Sequence, residues 1–160
     1  MSRADLASKA CPVARAAAVV GDKWTIMILR EMFLGSRRFD TFLRQTGMSS
    51  HLLSQRLKQL QADDVIRREA YSRRPLRHEY RLTPRGHALW PVIIAMKQWS
   101  DDWLGDDATP VKVVHTGCGH LTRPRRTRRD CAAPLRSFEV DAHVRGLARA
   151  EAHAAAPSSP

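Results

Sequence analysis

Four polar side chains, His51, Ser54, Gln55 and Lys58, recur at intervals of three and four residues. On a helix that spacing lines them up along one side. Their chemistry is directional hydrogen bonding: a Gln amide pairs bidentately with adenine, a Lys ammonium donates to guanine, and a Ser hydroxyl suits either. Ser49 and Ser50, just before them, offer hydroxyls and helix-terminal N–H groups suited to a phosphate. Arginines flank the stretch on both sides. Arg37 and Arg38 precede it, and Arg73, Arg74 and Arg77 follow in a short connector. Guanidinium groups bind phosphate oxygens in a bidentate fork. The combination suits reading base edges while gripping an anionic backbone, but one polar helix face is also what any solvated helix shows. Other features must agree.

The charge distribution agrees. The 160 residues hold 27 Lys+Arg against 16 Asp+Glu, a net charge of +11. Residues 36–81 contain eleven basic and five acidic residues, whereas 82–104 contain two of each. The segment 1–35 adds five against three, and 105–160 adds nine against six. A surplus serving only solubility would be spread more evenly. The middle segment is where a polyanion site is expected.

Composition excludes several classes. With 43% hydrophobic and 27% charged residues the chain reads as an ordinary globular domain. Its longest apolar run, 89–96, is interrupted by Pro91 and is too short to span a bilayer. Asp5 and the lack of an uninterrupted apolar stretch before Arg15 argue against a secretory leader, and none is expected. Three cysteines make no disulfide framework, so a cytoplasmic location is expected. Phosphate-loop, dinucleotide, H-E-x-x-H and G-x-S-x-G signatures are absent, and His78-Glu79 and His87 lack a third partner. No enzymatic activity and no cofactor are expected.

The elements that must position these residues follow from periodicity and breakers. Pro12 opens a helix with Val13, Ala16, Ala17 and Val20 at helical spacing, and Gly21 ends it. Asp22 caps a second helix through Met32, with Trp24, Ile28, Met32 and Ile26, Leu29, Phe33 on adjoining inner faces. Residues 40–45 form a third, supplying Phe39, Phe42 and Leu43 and stopping at Gly47. Ser49 or Ser50 caps a fourth helix through Asp63, with Leu53, Leu57 and Leu60 inward. Its outer side is then His51, Ser54, Gln55 and Lys58, with Gln59 at the margin. Two helices joined by Gly47-Met48-Ser49 form a helix-turn-helix. Residues 65–72 and 78–83 read as two strands, joined by the three-arginine connector 72–77 as a wing. A last long helix is expected over 84–104, with Leu89, Val92, Ile93, Met96, Trp99 and Trp103 on its apolar stripe. After it comes a linker, a short apolar patch at 111–114, and an Arg run at 123–129.

At this level the chain resembles the HxlR-type winged-helix regulators of bacteria. The resemblance rests on Cys11-Pro12-Val13, on Gly21-Asp22-Lys23-Trp24 leading into residues 26–29, and on Arg38-Phe39. It rests also on the run Ser54-Gln55-Arg56-Leu57-Lys58-Gln59-Leu60 and on Tyr80-Arg81-Leu82-Thr83-Pro84-Arg85-Gly86. It spans about 11–104. It implies a mostly α, α+β winged helix-turn-helix with a two-stranded wing and a long C-terminal dimerisation helix. It further implies a homodimer on double-stranded operator DNA, often as a repressor, with the recognition helix at 50–61 and the wing at 72–77. The dimer interface would join the first and last helices, drawing on Val13, Ala17, Met96, Trp99 and Trp103. An inverted-repeat operator would match that two-fold symmetry.

The resemblance also bears on thiols. Members that sense quinones and electrophiles use a cysteine matching Cys11, where helix-end N–H groups and Arg15 favour thiolate. Cys11 is therefore a candidate redox sensor. Some members end in a zinc-knuckle-like His-x-x-Cys-Gly and Cys-x-x-Cys-Gly pair. Here His115, Cys118, His120 and Cys131 are the corresponding ligand types, but Arg128 replaces a thiol. No bound metal is expected. The expected organisation is an N-terminal arm (1–10), the winged domain (11–104), a basic extension (105–149) and a disordered tail (150–160). Two competing readings are a non-specific basic nucleic-acid binder driven by residues 123–129, and a MarR-like regulator responding to a small ligand. No membrane association is expected, and the effector, a small molecule or an electrophile, is left open.

Overall fold

In a computed structural model, residues 1–74, 76–104, 111–121 and 127 are described. They belong to two units, Met1–Lys112 and Val113–Pro160. No helix among the described residues is long and apolar enough to cross a membrane.

The first unit starts with a helix where a plain arm is expected. Ser2 and Asp5 form a reciprocal cap: Asp5 N donates to Ser2 Oγ (3.2 Å) and Ser2 N donates to an Asp5 carboxylate oxygen (2.7 Å). Donation to the Asp5 carboxylate, from the Ser2 amide first and its hydroxyl second, holds that carboxyl below its usual pKa. The cap starts α1, Arg3–Ala7. Arg3 pins it, pairing with Asp63 and donating from Nε to Ala18 O (2.7 Å).

Helix α2, Pro12–Val20, has Pro at its first position and ends at Gly21. Asp22 Oδ1 then accepts from Trp24 N and Thr25 N, both at 3.1 Å, and starts α3, Lys23–Phe33. Helix α4, Phe39–Thr46, stops at Gly47, whose φ of +67° only glycine adopts freely. Ser49 Oγ accepts from Leu52 N and caps α5, Ser50–Ala62. Ile28, Leu29, Phe42, Leu53, Leu57 and Leu60 form one fully buried cluster with Val65 and Ile66 at its edge. The inner residues of α3, α4 and α5 match the periodicity, but those of α2 do not: Ala18 is its buried residue, while Val13 and Ala16 of the expected stripe are exposed.

The wing is longer than expected. Strands β1, Ile66–Arg73, and β2, Leu76–Leu82, pair antiparallel from Ile66↔Leu82 out to Arg73↔Leu76. Ser72, Arg73 and Arg77, expected in the connector, are strand residues, and Arg74 sits at the tip. Backbone pairing requires no burial of the side chains, so an arginine-rich sequence does not end it. A bulge at Tyr71 shifts the register between Ala70 and Ser72.

The single helix expected over 84–104 is two: α6, Pro84–His87, and α7, Trp90–Trp103. Pro91 has no N–H to donate, and its ring would collide with the His87 carbonyl in a continuous helix. The break divides the expected stripe. Leu89 and Ile93 pack on the core and Ile94 is buried, while Val92, Met96, Trp99 and Trp103 face outward along the other side. Thr83 anchors the junction, donating to Asp64 O (2.6 Å) and accepting from Gly86 N (3.1 Å).

In the second unit, Val114 and Leu121 pair across a tight turn in which Gly119 has φ +71°. The linker at 105–110, the Arg run apart from Thr127, Cys131 and the tail expected from 150 lie outside the described residues.

Gly86 is buried, and a Cβ there would sit 2.1 Å from the Val65 carbonyl oxygen, backbone against backbone. Gly86→Ala is expected to lower stability by about 1–3 kcal/mol, the usual range for overpacking. Arg85→Ala, one residue earlier and exposed, should stay within about 0.5 kcal/mol of the parent in the same denaturant titration.

Candidate nucleic-acid interface

The turn between α4 and α5 sets the geometry. Thr46 Oγ1 donates to Phe42 O (2.6 Å) and accepts from Met48 N (3.4 Å), and Met48 is buried beneath the turn. With Leu53, Leu57 and Leu60 buried, α5 has one rotational setting. His51, Gln55 and Lys58 are exposed and Ser54 is half-buried beside them, as the spacing predicts. Gln59 turns aside, donating to Asp63 at 3.5 Å. Ser49 spends its hydroxyl on the helix cap, while Ser50 is exposed at the first turn.

Arg56, which sequence reasoning passed over, lies on the flank of α5. Its Nη2 meets Asp22 Oδ2 at 3.1 Å, tying the helix to the cap of α3. The i to i+4 pattern gives no hint of it, because the partner is remote in sequence.

The wing is joined to the helix-turn-helix at two points. Tyr80 N donates to Arg37 O (2.8 Å), and the Tyr80 ring meets Phe42 edge-on at 6.4 Å. Arg38 lies 4.7 Å from the centre of the Tyr71 ring, a cation–π contact made where the strand bulges. Arg38, expected as a phosphate clamp, is thus anchored on the wing. Tyr71 was not identifiable in advance, because a bulge leaves no mark in an arginine-rich strand.

Charge is arranged unevenly along the wing. At its root Arg67 pairs with Glu69 (2.6 Å), and Arg81 pairs with Glu69 (3.0 Å) and Glu79 (2.5 Å). Arg68 is hydrogen-bonded to His78 at 2.9 Å. Arg73, Arg74 and Arg77 at the far end are exposed and have no carboxylate partner among the described residues. At the root Glu69 and Glu79 compensate Arg67 and Arg81, and the tip is cationic.

The remaining expected residues separate into two places. Val13 on α2 is 76% exposed, and on α7 Met96, Trp99 and Trp103 are 45%, 57% and 76% exposed; Ala17 is half-buried. Cys11 is exposed at the N-terminus of α2 and makes no side-chain capping bond. In the second unit His115 Nδ1 lies 3.3 Å from Cys118 Sγ, and His120 is exposed. Among the described residues no three His, Cys, Asp or Glu side chains are grouped to hold a metal.

A helix-turn-helix with an antiparallel two-stranded wing, a polar outward helix face and a cationic wing tip defines the winged-helix class of DNA-binding proteins. A family model described as HxlR-like helix-turn-helix matches residues 19–108, and the chain belongs to that family. An HTH-type transcriptional regulator of Mycobacterium tuberculosis is 39% identical over 129 residues, covering 80% of this chain and 82% of its own. One from Synechocystis is 39% identical over 110 residues, covering 68% of this chain and 81% of its own. Among solved structures, the candidate transcription factor PA1607 superposes with a TM-score of 0.76 at 31% identity, covering 87% of this chain and 98% of its own. The redox regulator HypR in its reduced form gives 0.54 at 33% identity, covering 57% and 92%. The chain is a transcriptional regulator of the winged helix-turn-helix type, a class whose members are not enzymes.

Proposed function

We propose that this regulator binds double-stranded operator DNA sequence-specifically, as a homodimer on an inverted repeat, and represses transcription there. The observation that carries the reading is the outward face of α5. His51, Gln55 and Lys58 are exposed, and none of them has a side-chain partner among the described residues, while the opposite face is locked in the core. Base edges in the major groove complement such a face. Ser50 and the first-turn amides, Arg37, Arg38 and the wing residues Arg73, Arg74 and Arg77 would hold phosphates on either side. Repression follows sterically when two such modules occupy a promoter. The dimer reading is supported by the exposed row Val92, Met96, Trp99 and Trp103, whose intervals of four, three and four residues make one continuous helix stripe. Large aromatic side chains left outward in this way mark an association surface.

Two measurements check this reading. On a preferred duplex, Gln55→Ala and Lys58→Ala should each cost about 1–3 kcal/mol and relax sequence preference. Arg73→Ala and Arg74→Ala should weaken all duplexes alike and lower the salt slope by about one unit per lost phosphate contact. Equal losses on operator and random DNA for the α5 variants would instead indicate a non-specific nucleic-acid binder. Sedimentation of the DNA-free protein at micromolar concentration should give a dimer that Trp103→Ala shifts toward monomer. A parent chain that sediments as a monomer would remove the homodimer.

A further inference from the structure

A cleft of about 170 Å³ lies between the end of α3, the segment leading into α4, the wing root and α6. It sits on the first unit, apart from the outward face of α5 and from the aromatic row of α7. Its apolar wall is Met32, Leu82 and the side chain of Tyr80; its polar rim carries Ser36, Arg37, Arg67, Arg81 and His87. The volume is close to that of a cavity of about 150 Å³ that accepts benzene. It is therefore large enough for one six-membered ring.

The rim charge narrows the ligand further. Arg67 and Arg81 are held by Glu69 and Glu79, so two of the three guanidiniums are compensated within the wing. Arg37 is exposed and has no ion-pair partner among the described residues. Arg37 is thus the lining guanidinium free to take an anion, and it stands beside an apolar wall. That arrangement favours a monoanion with a hydrophobic body. A guanidinium accepts a carboxylate in a bidentate fork.

We propose that this cleft is a binding site for a single-ring aromatic carboxylate, with the carboxylate on Arg37 and the ring against Met32, Tyr80 and Leu82. The regulatory consequence rests on the DNA-binding reading above: Arg37 cannot clamp a phosphate and hold a ligand at once. Its backbone carbonyl also accepts from Tyr80 N, so the ligand would sit where the wing joins the helix-turn-helix.

The test is calorimetric titration of the full chain, free of DNA, with benzoate. Saturable binding of one benzoate per chain is expected. Acetate, which has the carboxylate without the ring, and phenol, which has the ring without the carboxylate, should each bind about tenfold or more weaker. Arg37→Ala should weaken benzoate by a similar factor, and Arg85→Ala, outside the cleft, should leave it unchanged. Acetate or inorganic phosphate binding as well as benzoate would reduce the site to general anion attraction and overturn the proposal. Absence of saturable binding, or full retention in Arg37→Ala, would overturn it equally. Because no DNA is present, these outcomes are independent of whether α5 reads base edges.

Discussion

Which side chains α5 turns outward depends on how the helix is rotated about its own axis, and three leucines decide that. Leu53, Leu57 and Leu60 share one buried cluster with Ile28, Leu29 and Phe42. Each fully buried side chain of this size contributes about 1.5–3 kcal/mol relative to exposure. A turn of one residue about the axis, 100°, would draw the leucines toward water and polar residues toward the core. The cost would be several kcal/mol, a large share of the stability of a small domain. The polar face is therefore outward because the opposite face is not free to leave. The Arg56–Asp22 pair adds a second constraint from the flank, and the Ser49 cap fixes where the helix begins.

The same economy governs the charges. The chain is strongly basic, yet its arginines divide into those with a partner and those without. Around Glu69 and Glu79 the wing root is a closed network, which holds two strands together where they leave the core. A two-stranded ribbon is marginal by itself. Here it is also fastened by Tyr80 N to Arg37 O and by Arg38 over the Tyr71 ring. Past these anchors Arg73, Arg74 and Arg77 have no carboxylate partner among the described residues. Cationic charge thus concentrates on a supported tip, where long-range attraction to a polyanion would also orient its approach.

Most of this was legible from residue order, and the exceptions have physical causes. Helices α2 to α5 were readable because each has an N-terminal proline or cap (Pro12, Asp22, Ser49) or a terminating glycine (Gly21, Gly47) around an apolar stripe. The leucine spacing in α5 predicts the face that the structure leaves outward, His51, Gln55 and Lys58 with Ser54 half-buried beside them. The wing limits were missed because strand pairing at a solvated tip depends on the partner backbone, which side-chain pattern does not report. The division into α6 and α7 was available in principle from Pro91, but the apolar stripe on either side of it masked the break. Helix α1 was missed because it is one short turn with no buried apolar stripe, and its anchor, Asp63, is sixty residues away. Arg38 on Tyr71 and Arg56 on Asp22 are likewise tertiary facts.

The central claim is that two copies present their α5 faces to one face of a duplex. Selection of bound duplexes from a random-sequence library, followed by sequencing, addresses it directly. An inverted repeat is expected, with half-sites centred about 10–10.5 base pairs apart, one helical turn. Recovery of no preferred sequence, or of a single unrepeated half-site, would contradict it.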